Sequence, residues 1–322
     1  MSLKKVVEQI KKNKNFLITS HINLEGDAIG SQLAMRQLLL NLGKRAIIVN
    51  EDRIPEEYNF LPGIKYIKRP KDIKDFRFDV LLALDCSDVG RFKEVYALFS
   101  KDKLVINIDH HISNNNFGAI NWVDQKASST VEMIYRLYKK MGIGLDKNKA
   151  LCLYVGLVTD TGSFRYPNTN AFSHKIAFEL MQYNLLANKV YKNIYENLKF
   201  EDLKLLSKIL LNPQQDTMGE IVWFEIKRKI LKAKRPHFDL TEYVLSFGRL
   251  IKDAEVLVLF KEDLFLNNQV RVNLRSSGKV DVNKIAQIFG GGGHRTASGC
   301  TLKGKLKDVE YTVLKRIKDF IK

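Results

Sequence analysis

Leu104-Val105-Ile106-Asn107-Ile108-Asp109-His110-His111 decides how this chain is read: a short apolar run that ends, with no spacer, in an acid and two imidazoles. The pattern recurs upstream. Phe78 to Leu84 (FDVLLAL) runs directly into Asp85, and Phe16-Leu17-Ile18-Thr19-Ser20 runs into His21 and the turn HINLEGDAIGS, which carries Asp27. Ala46-Ile47-Ile48-Val49-Asn50 is another run of the same kind. None shows sustained alternation with polar residues, so each reads as a strand of a parallel sheet covered by helices on both faces.

Helical periodicity fills the intervals. A helix is predicted from near Ala28 through GSQLAMRQLLLNLG, ending at Gly43. SSTVEMIYRLYKK, residues 128–140, begins with hydroxyl caps, and a helix over 147–158 delivers Thr159-Asp160-Thr161-Gly162 at its end. Residues 172–181 follow with the same period. This order predicts an α/β fold: a three-layer, parallel-sheet domain over residues 1–186. Residues 187–210 are charged, amphipathic and helical in period, and Pro213 with QQDTMG breaks them, so 187–215 reads as a helical linker. Strands predicted at 220–226, 255–260 and 269–274, with helices near 241–250, 281–289 and 308–321, make residues 216–322 a smaller mixed-sheet α/β domain.

At 322 residues, with 45% hydrophobic and 28% charged residues, the chain is long enough for two cores and globular in composition. It contains no apolar run of about eighteen residues, and its start lacks a signal-type apolar core, so a cytoplasmic protein without a membrane role is expected. Cys86, Cys152 and Cys300 are too scattered for a disulfide scaffold or a zinc ribbon. The formal net charge of +17 would draw polyanions by a long-range field. Its lysines are dispersed, however, which equally fits lysine used as a solubilising residue.

Asp27, Asp85 and Asp109 each lie at or beyond the end of an apolar element. The carboxyl ends of parallel strands share one sheet edge, where ligand sites form, so acids remote in sequence can meet there. Asp160, at a helix end, can reach the same edge. One such acid is ordinary, since acids cap helices and turns. Here His21, His110 and His111, half of the six histidines, stand beside them. Carboxylates with imidazoles suit two divalent cations such as Mn2+, Mg2+ or Co2+. Two cations roughly 4 Å apart clamp a bridging water, lower its pKa and neutralise phosphoryl oxygens. That chemistry is phosphoester hydrolysis.

With these residues in view, the chain resembles the DHH phosphoesterase superfamily, and within it the branch of bifunctional oligoribonucleases and phosphoadenosine phosphate phosphatases. The resemblance rests on His21-Ile22-Asn23-Leu24-Glu25-Gly26-Asp27, Asp85, Asp109-His110-His111, Thr159-Asp160-Thr161-Gly162 and, near the end, Gly290-Gly291-Gly292-Gly293-His294. It implies that His21, Glu25 and Asp85 hold one cation, manganese foremost, and that Asp27, Asp85, His110 and Asp160 hold a second, with Asp85 bridging. Asp109 would orient the neighbouring site, and His111 would face the phosphate. The active site would lie in a cleft between the domains, and the family suggests a homodimer. One departure stands out: where the family has Asn-Pro-Asp-Gly-Asp, this chain has Leu24-Glu25 in place of proline and aspartate. Glutamate still offers a carboxylate, but its extra methylene displaces the oxygens by roughly an ångström unless the backbone compensates, and a fixed φ is lost.

The C-terminal part carries Arg271-Val272-Asn273-Leu274-Arg275-Ser276-Ser277. In a strand, Arg271, Asn273 and Arg275 share a face, and Arg275 can pair with a phosphate while Ser276 and Ser277 add hydroxyl donors. The glycine run, with Gly291, Gly292 and Gly293 before His294, reads as a side-chain-free turn whose amides can approach an anion. No GKS or GKT follows, so it is not a P-loop. Phe164, Tyr166 and Phe289 could stack a base or simply pack the core. The expected substrates are short RNA oligonucleotides and small phosphorylated nucleotides, with no long duplex. A cyclic or linear dinucleotide phosphodiesterase is the nearest alternative, a pyrophosphatase a further one, and a non-catalytic nucleotide or RNA sensor the alternative of another class.

Overall fold

Side chains along the first strands alternate between two dry cores. The computed structural model describes residues 2–73, 76–233 and 240–321. Its first unit, residues 1–196, contains α1 (Ser2–Lys12), β1 (Asn15–Thr19), α2 (Gly26–Asn41), β2 (Arg45–Val49), β3 (Ile67–Lys68), β4 (Val80–Leu84), α3 (Lys93–Phe99), β5 (Leu104–Asp109), β6 (Ile120–Val123), α4 (Thr130–Met141), α5 (Lys147–Asp160), α6 (Ala171–Met181) and α7 (Ala187–Tyr195). Phe16, Ile18, Leu82 and Ile106 pack under α2, α4 and α5, while Leu17, Leu81, Ala83 and Val105 pack with Phe92 and Val95 on the opposite face. Helices therefore sandwich the sheet. Each large apolar side chain so buried contributes roughly 1.5–3 kcal/mol, which is why these strands carry apolar residues at consecutive positions.

All pairings in this sheet are parallel, and the strand order is β3-β2-β1-β4-β5-β6. The chain thus winds outward from β1 in one direction, then returns to place β4 on its other side. Between β1 and β4 the loops leaving the carboxyl ends diverge, and a crevice opens at that switch point. The sequence predicted four of these strands. The edge strands β3 and β6 are short, which leaves little apolar signal to read.

Two helices pack closely enough to dictate their sequences. A Cβ placed on Gly30 of α2 would lie 2.4 Å from the Cys152 carbonyl oxygen of α5, and one on Gly156 of α5 would lie 2.4 Å from Val131 and 3.1 Å from the Asp27 Cα. Glycine at both positions permits the approach, which carries the end of α5 to the start of α2.

The predicted helical stretch over 187–210 is two helices. Val190 and Ile194 of α7 join the first core, whereas Leu205, Leu206 and Ile209 of α8 (Phe200–Leu210) join a core of the second unit, residues 197–322. The apolar face changes partner, so the helix cannot continue. The second unit goes on through β7 (Gln214–Gln215), β8 (Ile221–Ile226), α9 (Arg228–Ala233), α10 (Leu240–Gly248), β9 (Val256–Glu262), β10 (Gln269–Ser276), α11 (Val282–Ile288), β11 (Gly292–His294), β12 (Ala297–Lys303) and α12 (Leu306–Lys318). Its sheet, ordered β11-β12-β10-β9-β8-β7, is mixed: β8 and β9 run parallel and the other pairs antiparallel. Among the described residues no helix is long and apolar enough to cross a membrane.

Candidate metal centre

Three strand ends and two helix ends meet at the crevice. The loop after β1 supplies His21 and Glu25, the start of α2 supplies Asp27, the end of β4 is followed by Asp85, β5 ends in Asp109 with His110 and His111 beyond it, and α5 ends in Asp160. Asp85 adopts a left-handed backbone, φ +54°, as does Asn23 at +60°. For a non-glycine residue this conformation is costly and persists where surrounding contacts hold it. Asp27, Asp85, Asp109, His21, His110 and His111 are all buried; Asp160 is partly so and Glu25 is exposed.

The two oxygens of Asp85 face different imidazoles. Oδ2 lies 3.4 Å from His21 Nε2, while Oδ1 lies 3.6 Å from His111 Nδ1 and 3.7 Å from His110 Nε2. Around His110 Nε2 stand Asp160 Oδ2 at 3.5 Å and Asp27 Oδ2 at 3.8 Å, while Glu25 Oε1 is 3.8 Å from His21 Nε2. Atoms bound to one cation at about 2.1 Å stand roughly 3 to 3.5 Å apart, so these gaps are slightly wider than a filled shell and far narrower than chance. Asp27, His110 and Asp160 offer ligand atoms all within 4.8 Å of one another.

Supporting hydrogen bonds aim the rings. His110 Nδ1 donates to the Ala127 carbonyl at 3.2 Å, turning Nε2 toward the acids. His111 Nδ1 donates to Asp109 Oδ1 at 2.7 Å, and Asn114 Nδ2 donates to Asp109 Oδ2 at 2.6 Å. Asp109 therefore holds His111, and these two with Asp85 offer a second group of ligand atoms within 4.8 Å of one another. Asn168 Nδ2 donates to Asp160 Oδ2 at 3.2 Å. The Thr130 hydroxyl donates to Asp85 Oδ1 at 3.1 Å. Thr130, Asn114 and Asn168 were not singled out in the sequence; only the hydroxyl cap at the start of α4 hinted at the first.

Burial is the largest single influence on each of these groups, and their charged partners decide where it prevails. It drives Asp27 well above the usual carboxylate range, with Asp85 and Asp160 adding repulsion. Burial and the Asp85 charge raise Asp160 to about 7 against the pull of His110. For Asp85 burial acts in the same sense, but His21, His111 and His110 together outweigh it and hold the carboxyl below its ordinary value. Burial likewise disfavours the charged forms of Asp109 and His111, yet their mutual contact prevails, leaving Asp109 at about 2 and His111 at about 9. Two unit charges of one sign about 4 Å apart repel by roughly 4 kcal/mol at an effective dielectric of about 20, so a cluster of this kind calls for bound cations.

His21 tests whether cations fit. Its Nε2 is buried and completes no hydrogen bond, although two carboxylates lie within 4 Å. A lone pair directed between carboxylates is what a divalent ion requires of an imidazole. The residues fit the group.

The chain matches the DHH family, N-terminal domain, over residues 15–157 and the DHHA1 domain over residues 242–322. It is 31% identical to the bifunctional oligoribonuclease and PAP phosphatase NrnA of Thermus thermophilus, with 91% of this chain and 86% of that protein covered. The chain belongs to the DHH family. This DHH protein is also 28% identical to the Bacillus subtilis bifunctional oligoribonuclease and PAP phosphatase NrnA over 92% of either chain. A crystal structure of an exopolyphosphatase-related protein from Bacteroides fragilis superposes with a TM-score of 0.87 at 25% identity, covering 98% of this chain and 94% of that one. Domain architecture and acid–imidazole clusters together make the DHH protein a metal-dependent phosphoesterase.

Within the DHHA1 unit, Arg271, Asn273 and Arg275 share the face of β10 opposite its core, as expected from strand alternation. Arg275 Nη2 pairs with Glu242 at 2.9 Å, and Arg271 Nη1 donates to Thr301 Oγ1 at 3.2 Å. Ser276 and Ser277 both donate their hydroxyls to Glu255, which also accepts from the Val280 amide. Those hydroxyl protons are engaged in clasping a loop. The glycine run is not one turn: Gly290, at φ +71°, follows the end of α11, while Gly292 to His294 form β11. A Cβ on Gly291 would meet the Gly299 carbonyl at 2.2 Å, so glycine there lets the segment lie against β12. Of the candidate stacking rings, Phe164 already stacks on His174 at 4.9 Å, Tyr166 lies against Gly162 and Phe289 packs on the second-unit core that contains Val256, Val272 and Ile285.

Proposed function

We propose that this phosphoesterase cleaves very short RNA oligonucleotides to 5′-mononucleotides and removes the 3′-phosphate of adenosine 3′,5′-bisphosphate. The observation that carries the reading is the split orientation of Asp85, one oxygen toward His21 and the other toward His110. It supports a pair of adjacent cations, with His21, Glu25 and Asp85 holding one and Asp27, Asp85, His110 and Asp160 the other; manganese suits the donor set best. Two relatives at about 30% identity bear names for both activities.

Both reactions break the bond between phosphorus and a ribose 3′ oxygen, so one arrangement serves both. When bound, the cation pair supplies an acidified water and neutralises charge on the phosphoryl oxygens. Against burial, Asp109 holds His111 through Nδ1 and, with Asp85, raises its pKa to about 9, so the ring is an imidazolium at neutral pH and its opposite nitrogen carries the proton given to the departing 3′ oxygen. Arg271, Arg275, His294 and the amides of Gly291, Gly292 and Gly293 are proposed as contacts for a further phosphate of the substrate.

A product-resolved assay tests the reading. Manganese-loaded protein is incubated with di-, tri- and longer RNAs, adenosine 3′,5′-bisphosphate, cyclic di-AMP and pyrophosphate. Release of mononucleotides from the shortest RNAs and of phosphate from the bisphosphate is expected. Preferential turnover of cyclic di-AMP or pyrophosphate, or turnover equal to a blank with manganese, magnesium and cobalt, overturns it.

A further inference from the structure

Arg91 lies against the candidate metal centre without belonging to any of its acid pairs. The short turn Val89–Phe92 is built to present it. The Asp88 side chain accepts from the Gly90 amide at 2.6 Å, Phe92 is buried beside Phe117 and Tyr96, and the Arg91 carbonyl accepts from the Ile22 amide at 2.7 Å. That last bond ties the turn to the His21 loop. The guanidinium then stands with Nη2 3.1 Å from His21 Nδ1, and its charge acts on His111 and Cys86 as well.

The same Nδ1 lies 2.7 Å from the Ile22 carbonyl. One ring nitrogen cannot donate to a carbonyl and also accept from arginine. A carbonyl can only accept, and its contact is the shorter, so the proton is assigned to Nδ1 and the Nε2 lone pair faces the carboxylates. This is the tautomer a metal-binding imidazole needs. Arg91 Nη2 then has a ring N–H in front of it instead of an acceptor, and among the described residues no carboxylate lies within ion-pair reach of Arg91. A guanidinium left with unused donors beside a cluster built for cations is placed to take an anion that arrives from outside.

We infer that Arg91 is a substrate-binding residue of the first unit, contacting the non-bridging oxygens of the phosphoryl group presented at the metal centre. The inference deepens the phosphoesterase reading and rests on it.

The test uses adenosine 5′-monophosphate, the common product, as the probe. Its affinity for manganese-loaded wild type, R91A and R91K is measured calorimetrically, with manganese per chain and melting temperature measured on the same samples. R91A should bind the nucleotide about 10- to 100-fold more weakly, the range for losing hydrogen bonds to a charged group, with manganese content unchanged; R91K should fall between. Methylguanidinium should restore part of the R91A loss. Nucleotide affinity within about twofold of wild type in both variants overturns the inference. So does a loss of nucleotide matched by an equal loss of manganese, which would make Arg91 a support for His21 alone. Should R91A fail to fold, R91K decides by the same two measurements. If wild type hydrolyses neither short RNA nor the bisphosphate while nucleotide affinity still depends on Arg91, the two named substrates fail and the phosphoryl contact of Arg91 stands.

Discussion

Asp27 stands on the first turn of α2, and Thr130, a hundred residues later, begins α4 with its amide 2.6 Å from Asp27 Oδ2. The next amide, Val131, reaches Asp27 Oδ1 at 2.8 Å. A helix N-terminus thus takes both oxygens of a buried carboxylate and offsets part of its charge. The Thr130 hydroxyl meanwhile donates to Asp85 Oδ1 at 3.1 Å. One residue aims two of the acids that the candidate centre depends on.

Thr130→Val keeps the amide contact to Asp27 and deletes the hydroxyl contact to Asp85. Bonds of this outer kind typically matter 10- to 100-fold in metal affinity, so manganese should bind about 10-fold more weakly with little change in melting temperature. Competition with a fluorescent chelator measures this. Unchanged affinity would remove Thr130 from any role at the centre.

Asp85→Asn retains shape but halves the donor capacity of a carboxylate that faces His21, His110 and His111. Manganese at both positions should fall, and turnover should drop by about 10²–10³-fold or more. Glu25→Gln should affect one position only. Metal counted per chain in the two variants separates a bridging acid from a terminal one, and equal losses would argue against bridging.

Protons compete with cations for Asp160 and Asp27. In metal-free protein Asp160 titrates near 7, against 3.8 for the free side chain, because burial and the Asp85 charge raise it. A raised folded pKa contributes stability fully below about pH 4, lost as pH climbs through 7. His111, raised to about 9, acts in the same direction at higher pH. Asp109, lowered to about 2, acts oppositely but only in acid. Chelated protein should therefore melt several degrees lower at pH 8 than at pH 5.5, and manganese should flatten the difference. Binding at pH 6.5 should release roughly one or two protons, read from calorimetry in buffers of different ionisation enthalpy. A chelated melting temperature that rises steadily from pH 5.5 to 8 contradicts this account.

Gly30→Val forces a side chain against the Cys152 carbonyl, for which there is no room. A destabilisation of about 3 kcal/mol or more is expected in urea unfolding, since backbone must move to relieve it. Gly144→Ala meets nothing within 4 Å and serves as the comparison, with an effect of about 0.5 kcal/mol or less. Equal effects from the two would mean that the α2–α5 contact does not govern the fold.

Much of the candidate centre was legible because strand ends in a parallel sheet face one way. Apolar runs stopping in Asp85 and in Asp109-His110-His111, with His21 just past another, place those residues at one edge whatever the order of the strands. The shared face of Arg271 and Arg275 follows from local periodicity too, which the backbone geometry of strands imposes residue by residue. Tertiary structure alone decided the rest. Asp160 reaches the acids because Gly30 and Gly156 let two helices touch, and Ser276 and Ser277 are claimed by a glutamate 21 and 22 residues away. The glycine run extends into a strand because β12 lies within reach to pair with it. Arg91 is aimed at His21 across 70 residues of chain. Such partners are chosen by which surfaces meet in space, and no period in the sequence encodes that meeting.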